Sequence, residues 1–504
     1  MRVLISILLF NQLIFSANIL SNCIVAPDTR TFERFQFTFP EQIESEHFIV
    51  HFTTSNADSQ FVNEQWLNLQ CNFGYAQSVI ELAEYALAIF MEADWEMMPP
   101  DCDEGITDEE SPNHCNNFGG NALYDIYLAN DAVGLVAPEN PYPVEPYIGG
   151  FTSFMQVTPL GNDHTFVPDW SVHVIAHELH HAIQIRYGTS VSGEPGNYAY
   201  NGWLYEQTST YMENVIFPAS YHFPVMMGNC NITSPLTYPE ISIDSSVDIY
   251  QYRSALWQKF LVEAYGDSTI NRLIWEGFGL ETATGNPVNM FPIYESALQT
   301  VTDGVTTLGD AYEDYALWRY FTGSRSRPGE FFMQAASYCT ANLLAIEETS
   351  TTFPSEKGGA RLVKLLPYET NLVLASSAYD NLLVQHISFS EEDEILMSSI
   401  EVNGEESFFQ LNNPAGDNHA LLITSEYTAE PGEEIEFTLS NTVPFMEGDI
   451  TGDSMVNVQD IIVQINIILH QIDPTDYQWL AADLDENNVV DVLDVILLVN
   501  LILG

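Results

Sequence analysis

The middle of the chain contains two histidines and a glutamate whose types and spacing are typical of a metal site. His177, Glu178 and His181 satisfy the pattern His-Glu-x-x-His. On a helix, His177 and His181 lie one turn apart on the same face, so both imidazoles can bind one metal ion while Glu178 lies beside the open coordination position. The pattern predicts a zinc ion that polarises a carbonyl group and lowers the pKa of a water molecule, with Glu178 as the general base.

A catalytic zinc usually has a third protein ligand, and residues 203–213 contain two candidates. We select Glu206, because the chain can leave the first helix, turn through residues 193–196 and return on a second helix. Glu213 follows almost two helical turns later, and we expect it to brace a ligand through a hydrogen bond. A site with three histidines is not supported, because His-x-x-Gly-x-x-His does not follow Glu178.

These motifs resemble the gluzincin group of zinc metallopeptidases, in particular secreted bacterial enzymes that pair His-Glu-x-x-His with a downstream Trp-x-x-Glu helix. The resemblance covers about residues 45–330. It implies a zincin-like α+β fold in which His177, His181 and Glu206 bind zinc. It also implies that residues 148–157 form the edge strand that aligns the substrate.

Hydrolysis by such a site also needs a donor that stabilises the oxyanion, usually a side chain beyond the ligand helices. Tyr250 and Tyr252 precede a helix-like run over residues 254–264. The resemblance favours one of these tyrosines, and we choose Tyr252.

Less specific explanations compete with a catalytic zinc site. The motif residues could occur together by chance, or they could be a metal-free remnant of a former enzyme. His173 falls on the same helix face as His177, but no acidic residue follows it directly. We therefore interpret His173 and His180 as structural residues.

The last part of the chain, residues 448–504, repeats an acidic loop followed by an apolar helix. In each copy, oxygen-bearing side chains occupy positions 1, 3, 5, 9 and 12 of a calcium loop, where they can surround a hard cation. We expect two calcium ions, and loss of order without them, because the carboxylates would repel one another. The predicted ligands are Asp449, Thr451, Asp453, Asn457 and Asp460 in the first copy, and Asp483, Asp485, Asn487, Asp491 and Asp494 in the second.

The repeat resembles the type I dockerin, whose two calcium loops each precede a helix and end in Asp. This resemblance implies a small α-helical domain that docks to a cohesin module on a scaffold or cell surface. A calcium-stabilised terminal cap without a partner is the alternative. The sixth loop position usually holds Gly, but here it holds Ser454 and Asn488. Asn tolerates a positive φ better than Ser, so we expect weaker calcium binding in the first loop.

Two regions surround these sites and must position them. Residues 30–345 alternate between strand-like and helix-like runs, which predicts an α+β domain. Residues 346–443 consist of short β-rich runs separated by turn signals, which predicts an all-β sandwich. The expected strands are residues 47–54, 123–128 and 148–157 in the first region and 382–389, 420–423 and 435–439 in the second; the expected helix before the metal motif covers residues 75–95.

Charge excludes several partners. The 504 residues include 13 Lys and Arg against 70 Asp and Glu, which gives a formal net charge of −57. A surface this negative repels phosphate backbones and anionic lipid headgroups, so we expect neither nucleic-acid binding nor peripheral attachment to anionic membranes.

The first residues indicate export. Arg2 precedes an apolar run over residues 3–15, which predicts a signal peptide over residues 1–22. The run is too short for a membrane anchor, so we expect no transmembrane segment in the mature chain. A lipid anchor at Cys23 is the less favoured alternative, because Asn22 stands where lipoprotein signals prefer Gly or Ala. Export favours disulfides, and Cys102 with Cys115, which flank a polar loop, is the expected pair.

Taken together, these patterns predict a secreted or cell-surface zinc endopeptidase that cleaves protein or peptide substrates and is tethered through a calcium-dependent dockerin. A non-catalytic surface or scaffold-docking module with a remnant zinc domain is the competing hypothesis.

Overall fold

The computed structural model describes most of the chain between residues 33 and 503. The described residues form two compact units that divide between Asn342 and Leu343. The predicted signal peptide and Cys23 lie outside the described residues, as do residues 193–196, Ser454 and Asn488. The gaps within the described range are residues 63–64, 101, 103–104, 106–113, 130–132, 160–166, 170, 190–200, 221, 285–287, 346–349, 357, 366–370, 390–394, 412–417, 426–433, 441–445, 454, 473, 475, 486 and 488.

The first unit contains a five-stranded mixed sheet and a two-stranded hairpin. The strands of the sheet are β1 (Glu41–Glu44), β2 (Phe48–Phe52), β5 (Tyr124–Tyr127), β6 (Gly134–Pro141) and β7 (Phe151–Val157), and those of the hairpin are β3 (Ser59–Val62) and β4 (Gln65–Asn68). The order in the sheet is β1-β2-β5-β7-β6. Strands β2, β5 and β7 are parallel to one another, and the outer strands β1 and β6 are antiparallel to their neighbours.

The position of residues 148–157 corrects one expectation. Their strand, β7, lies between β5 and β6, so it is not the edge strand of the sheet. The edge strand next to it is β6, which the sequence patterns did not predict. Its sequence, Gly-Leu-Val-Ala-Pro-Glu-Asn-Pro, contains two prolines and lacks the alternation of apolar and polar residues that marks a strand. Proline is tolerated in an edge strand, because it lacks the N–H that a central strand needs for pairing.

Nine α-helices accompany the sheet in the described part of this unit. The helix α1 packs against β2, and α2 packs against α1, α3, β6 and β7. The α2 side chains from His173 to Tyr187 are all buried, so this helix is the centre of the unit. The helices are α1 (Phe73–Glu92), α2 (Val172–Tyr187), α3 (Gly202–Ile216), α4 (His222–Met227), α5 (Tyr250–Arg253), α6 (Ala255–Tyr265), α7 (Ile270–Thr282), α8 (Met290–Val301) and α9 (Leu308–Tyr320).

A buried ion network joins the segment before β1 to the sheet. Arg34 donates to Asp125 on β5, with Nη1 to Oδ2 at 2.6 Å. It also donates to Glu139 on β6 through both Nε and Nη2. Asp125 is fully buried and also contacts His51 Nε2 at 2.5 Å. Arg34 therefore links the central strand β5 to the edge strand β6, because its positive charge pairs with one carboxylate on each strand.

Two disulfides are present among the described cysteines. The expected pair, Cys102 with Cys115, is one of them. The other joins Cys230 to Cys339, which are 109 positions apart in the sequence. Cys71 is a buried free thiol. Disulfides are typical of proteins in oxidising compartments.

The second unit begins with nine strands in two sheets. Their orders are β13-β12-β15-β10-β8 and β14-β11-β16-β9. Residues from both sheets, including Val384, Ile423, Leu374 and Leu439, share one apolar core, so the sheets pack face to face as a sandwich. The strands are β8 (Leu344–Ala345), β9 (Ser350–Glu356), β10 (Ala360–Lys364), β11 (Asn371–Ala375), β12 (Leu382–Phe389), β13 (Leu396–Ile400), β14 (Glu406–Gln410), β15 (Asn418–Ser425) and β16 (Glu434–Ser440).

The unit ends in three helices, α10 (Val458–Ile468), α11 (Asp476–Ala482) and α12 (Val492–Leu503). Ile450, Ile467, Ala481 and Leu498 form a small separate core that joins them. The mixture of helices and sheets confirms the α+β class in general terms. Across the ranges that the structure describes, no helix combines the length and apolar character needed to cross a membrane.

Candidate metal centre

Three predicted ligands lie together where α2 packs against α3. The Nε2 atom of His177 lies 3.0 Å from Oε2 of Glu206, and Nε2 of His181 lies 3.3 Å from the same oxygen. The two histidines come from consecutive turns of α2, and Glu206 comes from the facing side of α3. All three side chains are buried. The structure therefore brings His177, His181 and Glu206 to one point.

The far nitrogen of each imidazole is held by another side chain. Nδ1 of His177 lies 2.7 Å from Oε1 of Glu213, and Nδ1 of His181 lies 2.7 Å from Oε1 of Gln184. An oxygen acceptor at Nδ1 holds the proton on that nitrogen and leaves the lone pair of Nε2 for a metal ion. The hydrogen bond expected between Glu213 and a predicted ligand is present.

The electrostatics of the centre favour ionised carboxylates. Burial alone would raise the pKa of Glu206, but the imidazoles of His181 and His177 outweigh burial and lower that pKa below its usual range. Burial likewise opposes ionisation of Glu213, yet His222 and His173 hold its pKa well below the usual range. Both glutamates are therefore anionic acceptors at neutral pH.

His180 is not one of the three grouped donors. Its ring stacks on Phe90 with centroids 5.2 Å apart, and its Nδ1 lies 3.0 Å from Oγ of Ser209. Burial, together with the neighbouring His181 and His177, lowers the pKa of His180 well below its usual range. A neutral, packed ring agrees with the structural role expected for His180.

Glu178 lies on α2 between the two histidines and is fully buried. A β-carbon built on Gly134, the first residue of β6, would collide with its carboxylate. The edge strand therefore passes directly beside the expected general base. Sequence analysis missed Gly134, since a single glycine outside any recognised motif carries no signal of such a contact.

The two tyrosine candidates differ in their surroundings. The ring of Tyr252 lies next to His177, with centroids 6.0 Å apart. The hydroxyl of Tyr250 donates to the carbonyl of Ile241 at 3.2 Å. Both side chains are buried, but Tyr252 is the one beside a predicted ligand.

A second group of buried residues adjoins the centre, and sequence analysis did not find it. Nδ1 of His222 lies 2.6 Å from Oε2 of Glu213, and the rings of His222 and His173 are stacked with centroids 3.9 Å apart. His222 comes from the short helix α4, which carries no motif. A spacing of four between His173 and His177 was the only visible signal.

The donor atoms of His177, His181 and Glu206 fit zinc. Two imidazole nitrogens and one carboxylate oxygen lie within 4.8 Å of one another, and all belong to buried residues. Two histidines and a glutamate are a ligand set of catalytic zinc sites, in which the fourth position stays open.

The acidic loops of the second unit share one hydrogen-bond pattern. In the first loop, Asp460 accepts from the backbone N–H of Thr451 and Asn457, each at 2.8 Å. In the second, Asp494 accepts from the backbone N–H of Leu484 and Asp491. In both loops the last predicted ligand therefore ties the loop to the start of its helix.

The remaining predicted calcium ligands also lie around these loops. Asp449 accepts from the backbone N–H of Gly452 and Asp453, and Asn457 caps the first turn of α10. In the second loop, carboxylate oxygens of Asp483, Asp485 and Asp494 lie within 4.8 Å of one another. Asp453 and Asn487 accept from backbone N–H groups of their own loops, at Met455 and Val489, and Asp491 accepts from the N–H of Leu493 in the first turn of α12.

A protein-family model matches part of the first unit. A family described as "Family of unknown function (DUF6055)" matches residues 166–292. This stretch contains α2, α3, α4 and Tyr252, whereas the sheet lies outside it. No curated protein matches the chain.

Proposed function

We propose that the first unit is a zinc-dependent endopeptidase. The observation that carries the proposal is the convergence of His177 Nε2 and His181 Nε2 on one oxygen of Glu206, with Glu178 on the same helix. Two further features support it. The Nδ1 atom of each histidine is occupied by an acceptor, and an edge strand runs beside Glu178.

A zinc ion held by His177, His181 and Glu206 would polarise a carbonyl oxygen and lower the pKa of a water molecule. Glu178 takes a proton from the attacking water and later delivers it to the leaving amine. Its burial between α2 and β6 limits the positions that the carboxylate can occupy. Tyr252 lies beside His177, where its hydroxyl would donate to the oxyanion.

The decisive experiment compares cleavage of an unfolded protein by the purified chain and by its Glu178→Gln variant at equal zinc content. We expect the variant to lose at least about 100-fold in kcat while zinc stays bound, because the amide cannot accept the proton. The matched control is Glu84→Gln, since Glu84 is partly exposed, pairs with His47 and is not one of the grouped donors, so this change should leave kcat unchanged.

Retained cleavage by Glu178→Gln would disprove the mechanism. A parent chain that binds zinc but cleaves nothing, also after limited proteolytic activation, would favour a non-catalytic module. Exposed apolar residues in the second unit support that non-catalytic, docking function.

We propose further that residues 448–504 are a calcium-stabilised dockerin-like module. Large apolar side chains are exposed on α10, on Leu469 directly after it, and on α12, and they occupy equivalent places in the two copies. Exposed apolar surface of this kind is typical of protein-binding faces. The equivalent residues are Val458 and Val492, Ile462 and Ile496, and Leu469 and Leu503.

The test is binding of the full chain to a type I cohesin module with calcium and then with a chelator. We expect binding with calcium and release without it. No binding in calcium would leave a terminal cap as the better description. The predicted leader and the disulfides support a secreted or cell-surface location for both activities.

A further inference from the structure

The Nδ1 side of His177, opposite the side that faces Glu206, contacts the first of three linked buried residues: Glu213, His222 and His173. Oε1 of Glu213, on α3, lies 2.7 Å from Nδ1 of His177. Its other oxygen, Oε2, lies 2.6 Å from Nδ1 of His222. His222, on α4, stacks on His173, and His173 lies one turn before His177 on α2. The chain of contacts therefore begins and ends on the same helix.

This arrangement fixes the orientation of Glu213. Each of its two oxygens has one imidazole N–H donor, so a rotation of the carboxylate that loses one contact also strains the other. The ring of His222 cannot move freely either, because it lies flat against His173, with 8° between the ring planes. All three side chains are buried, so water does not readily replace these contacts.

We infer that His222 is a positioning residue of the metal centre, which holds Glu213 so that Nε2 of His177 stays directed at the metal. The inference rests on the proposed zinc site. His222 acts through Glu213, and His173 supports it by stacking.

The same residues are close enough to suggest a second metal site, with donor atoms of His173, Glu213 and His222 within 4.8 Å of one another. The geometry favours a positioning role instead. Imidazole lone pairs lie in the ring plane, and the two stacked ring planes are nearly parallel and separated, so one metal ion cannot lie in both planes. Both oxygens of Glu213 are already engaged with imidazole nitrogens.

The experiment measures zinc affinity of the full chain by competition with a chelator, in excess calcium, together with the visible spectrum of the cobalt-substituted protein. His222→Phe keeps a ring against His173 but removes the donor to Glu213. His222→Asn loses the ring but places an amide donor near the position of Nδ1. The pair separates ring packing from the hydrogen bond.

We expect one zinc per parent chain. His222→Phe should weaken zinc binding by about 10- to 100-fold and shift the cobalt spectrum, and His222→Asn should restore most of both. Glu213→Gln should weaken binding to a similar extent, and the double variant with His222→Phe should lose little more, because both changes break one linkage. His222→Leu replaces His222→Phe if the latter does not fold, as judged by near-ultraviolet circular dichroism.

The matched control is His47→Leu. His47 Nδ1 contacts Glu84 Oε2 at 2.8 Å, so this variant removes a histidine–glutamate contact of the same type outside the metal centre. Its zinc affinity should equal that of the parent. Unchanged affinity and spectrum in His222→Phe would overturn the inference.

A second zinc ion in the parent that disappears in His222→Phe would also overturn it, in favour of a second metal site. Failure of the proposed function has a different signature. In that case the parent itself binds no zinc that His177→Ala removes, whatever residue stands at position 222.

Discussion

Gly134, the first residue of the edge strand β6, lies directly against the carboxylate of Glu178 on α2. A β-carbon at position 134 would occupy the space of that carboxylate. Interiors are close-packed, so an added methyl group there must displace either the strand or the glutamate. This contact couples the edge of the sheet to the proposed general base.

The Gly134→Ala variant should therefore lose activity while it keeps zinc. We expect kcat to fall by at least about tenfold, because a displaced base costs much of the proton-transfer contribution. Zinc content and kcat are measured on the same preparation. Gly149→Ala is the control, since its β-carbon would meet Thr282 and not Glu178. Equal kcat in Gly134→Ala and the parent would contradict this prediction, because it would show that Glu178 can accommodate the added methyl group and still act.

The two buried tyrosines of α5 provide a matched pair for the oxyanion donor. Tyr252→Phe should lower kcat by about 100-fold with KM and bound zinc nearly unchanged, because the lost hydroxyl acts on the transition state. Tyr250→Phe removes the bond to Ile241 and should cost about 1 kcal/mol of stability without lowering kcat. The reverse pattern would transfer the role to Tyr250.

Removal of calcium should disorder the terminal helices, because the carboxylates of Asp483, Asp485 and Asp494 then lie within 4.8 Å of one another without a counterion. Asp494→Ala should lower calcium affinity at least about tenfold, since it removes a proposed ligand and the hydrogen bonds from the backbone N–H groups of Leu484 and Asp491.

Calorimetric titration measures that affinity, and protease sensitivity in a chelator reports order. Glu401→Ala changes the net charge equally at an exposed site and should leave both unchanged. Full protease resistance without calcium would contradict the prediction.

We expect a buried histidine pair to make the second unit sensitive to acid. Burial and the neighbouring His419 lower the pKa of His386 to about 4, and the two rings are 3.3 Å apart between Nε2 and Nδ1. An unfolded histidine has a pKa of about 6.5, so between pH 6.5 and 4 the unfolded chain binds a proton that the folded chain does not. This contribution to stability is complete above pH 6.5 and is lost as the pH falls toward 4.

The loss should reach up to about 3 kcal/mol. Urea denaturation of the sandwich at pH 7.5 and 4.5 measures it as a difference in the free energy of unfolding. His386→Leu should show a smaller difference, because the group that takes up the proton is gone. The same difference in parent and variant would place the acid sensitivity elsewhere.

The buried position of Arg34 predicts a large stability effect. Arg34→Met leaves Asp125 buried without this cation and should cost about 3–5 kcal/mol in free energy of unfolding. Arg327→Met is the control, because Arg327 pairs with the half-exposed Glu330 and the change should cost no more than about 1 kcal/mol. Thermal and urea denaturation compare the two. Similar losses in both variants would contradict a special role for the buried network.

The sequence by itself determined the features that depend on local geometry. A spacing of four places His177 and His181 on one face of any helix, and the repeated loop pattern places the last Asp of each loop at a helix start. Strand 382–389 was predicted with its exact bounds, because its apolar pattern and turn signals are contiguous in the chain. Glu206 was selected over Glu213 from the expected return of the chain on a second helix, and α3 places Glu206 beside both histidines.

Only the tertiary structure decided which distant segments meet. Several features join residues that no periodic pattern relates. They are the edge position of β6, the contact of Gly134 with Glu178, the linked residues His173, His222 and Glu213, and the Cys230–Cys339 disulfide. These contacts arise when helices and strands with individually weak signals pack to exclude water, and the free energy of that packing belongs to the assembled unit and to no single segment.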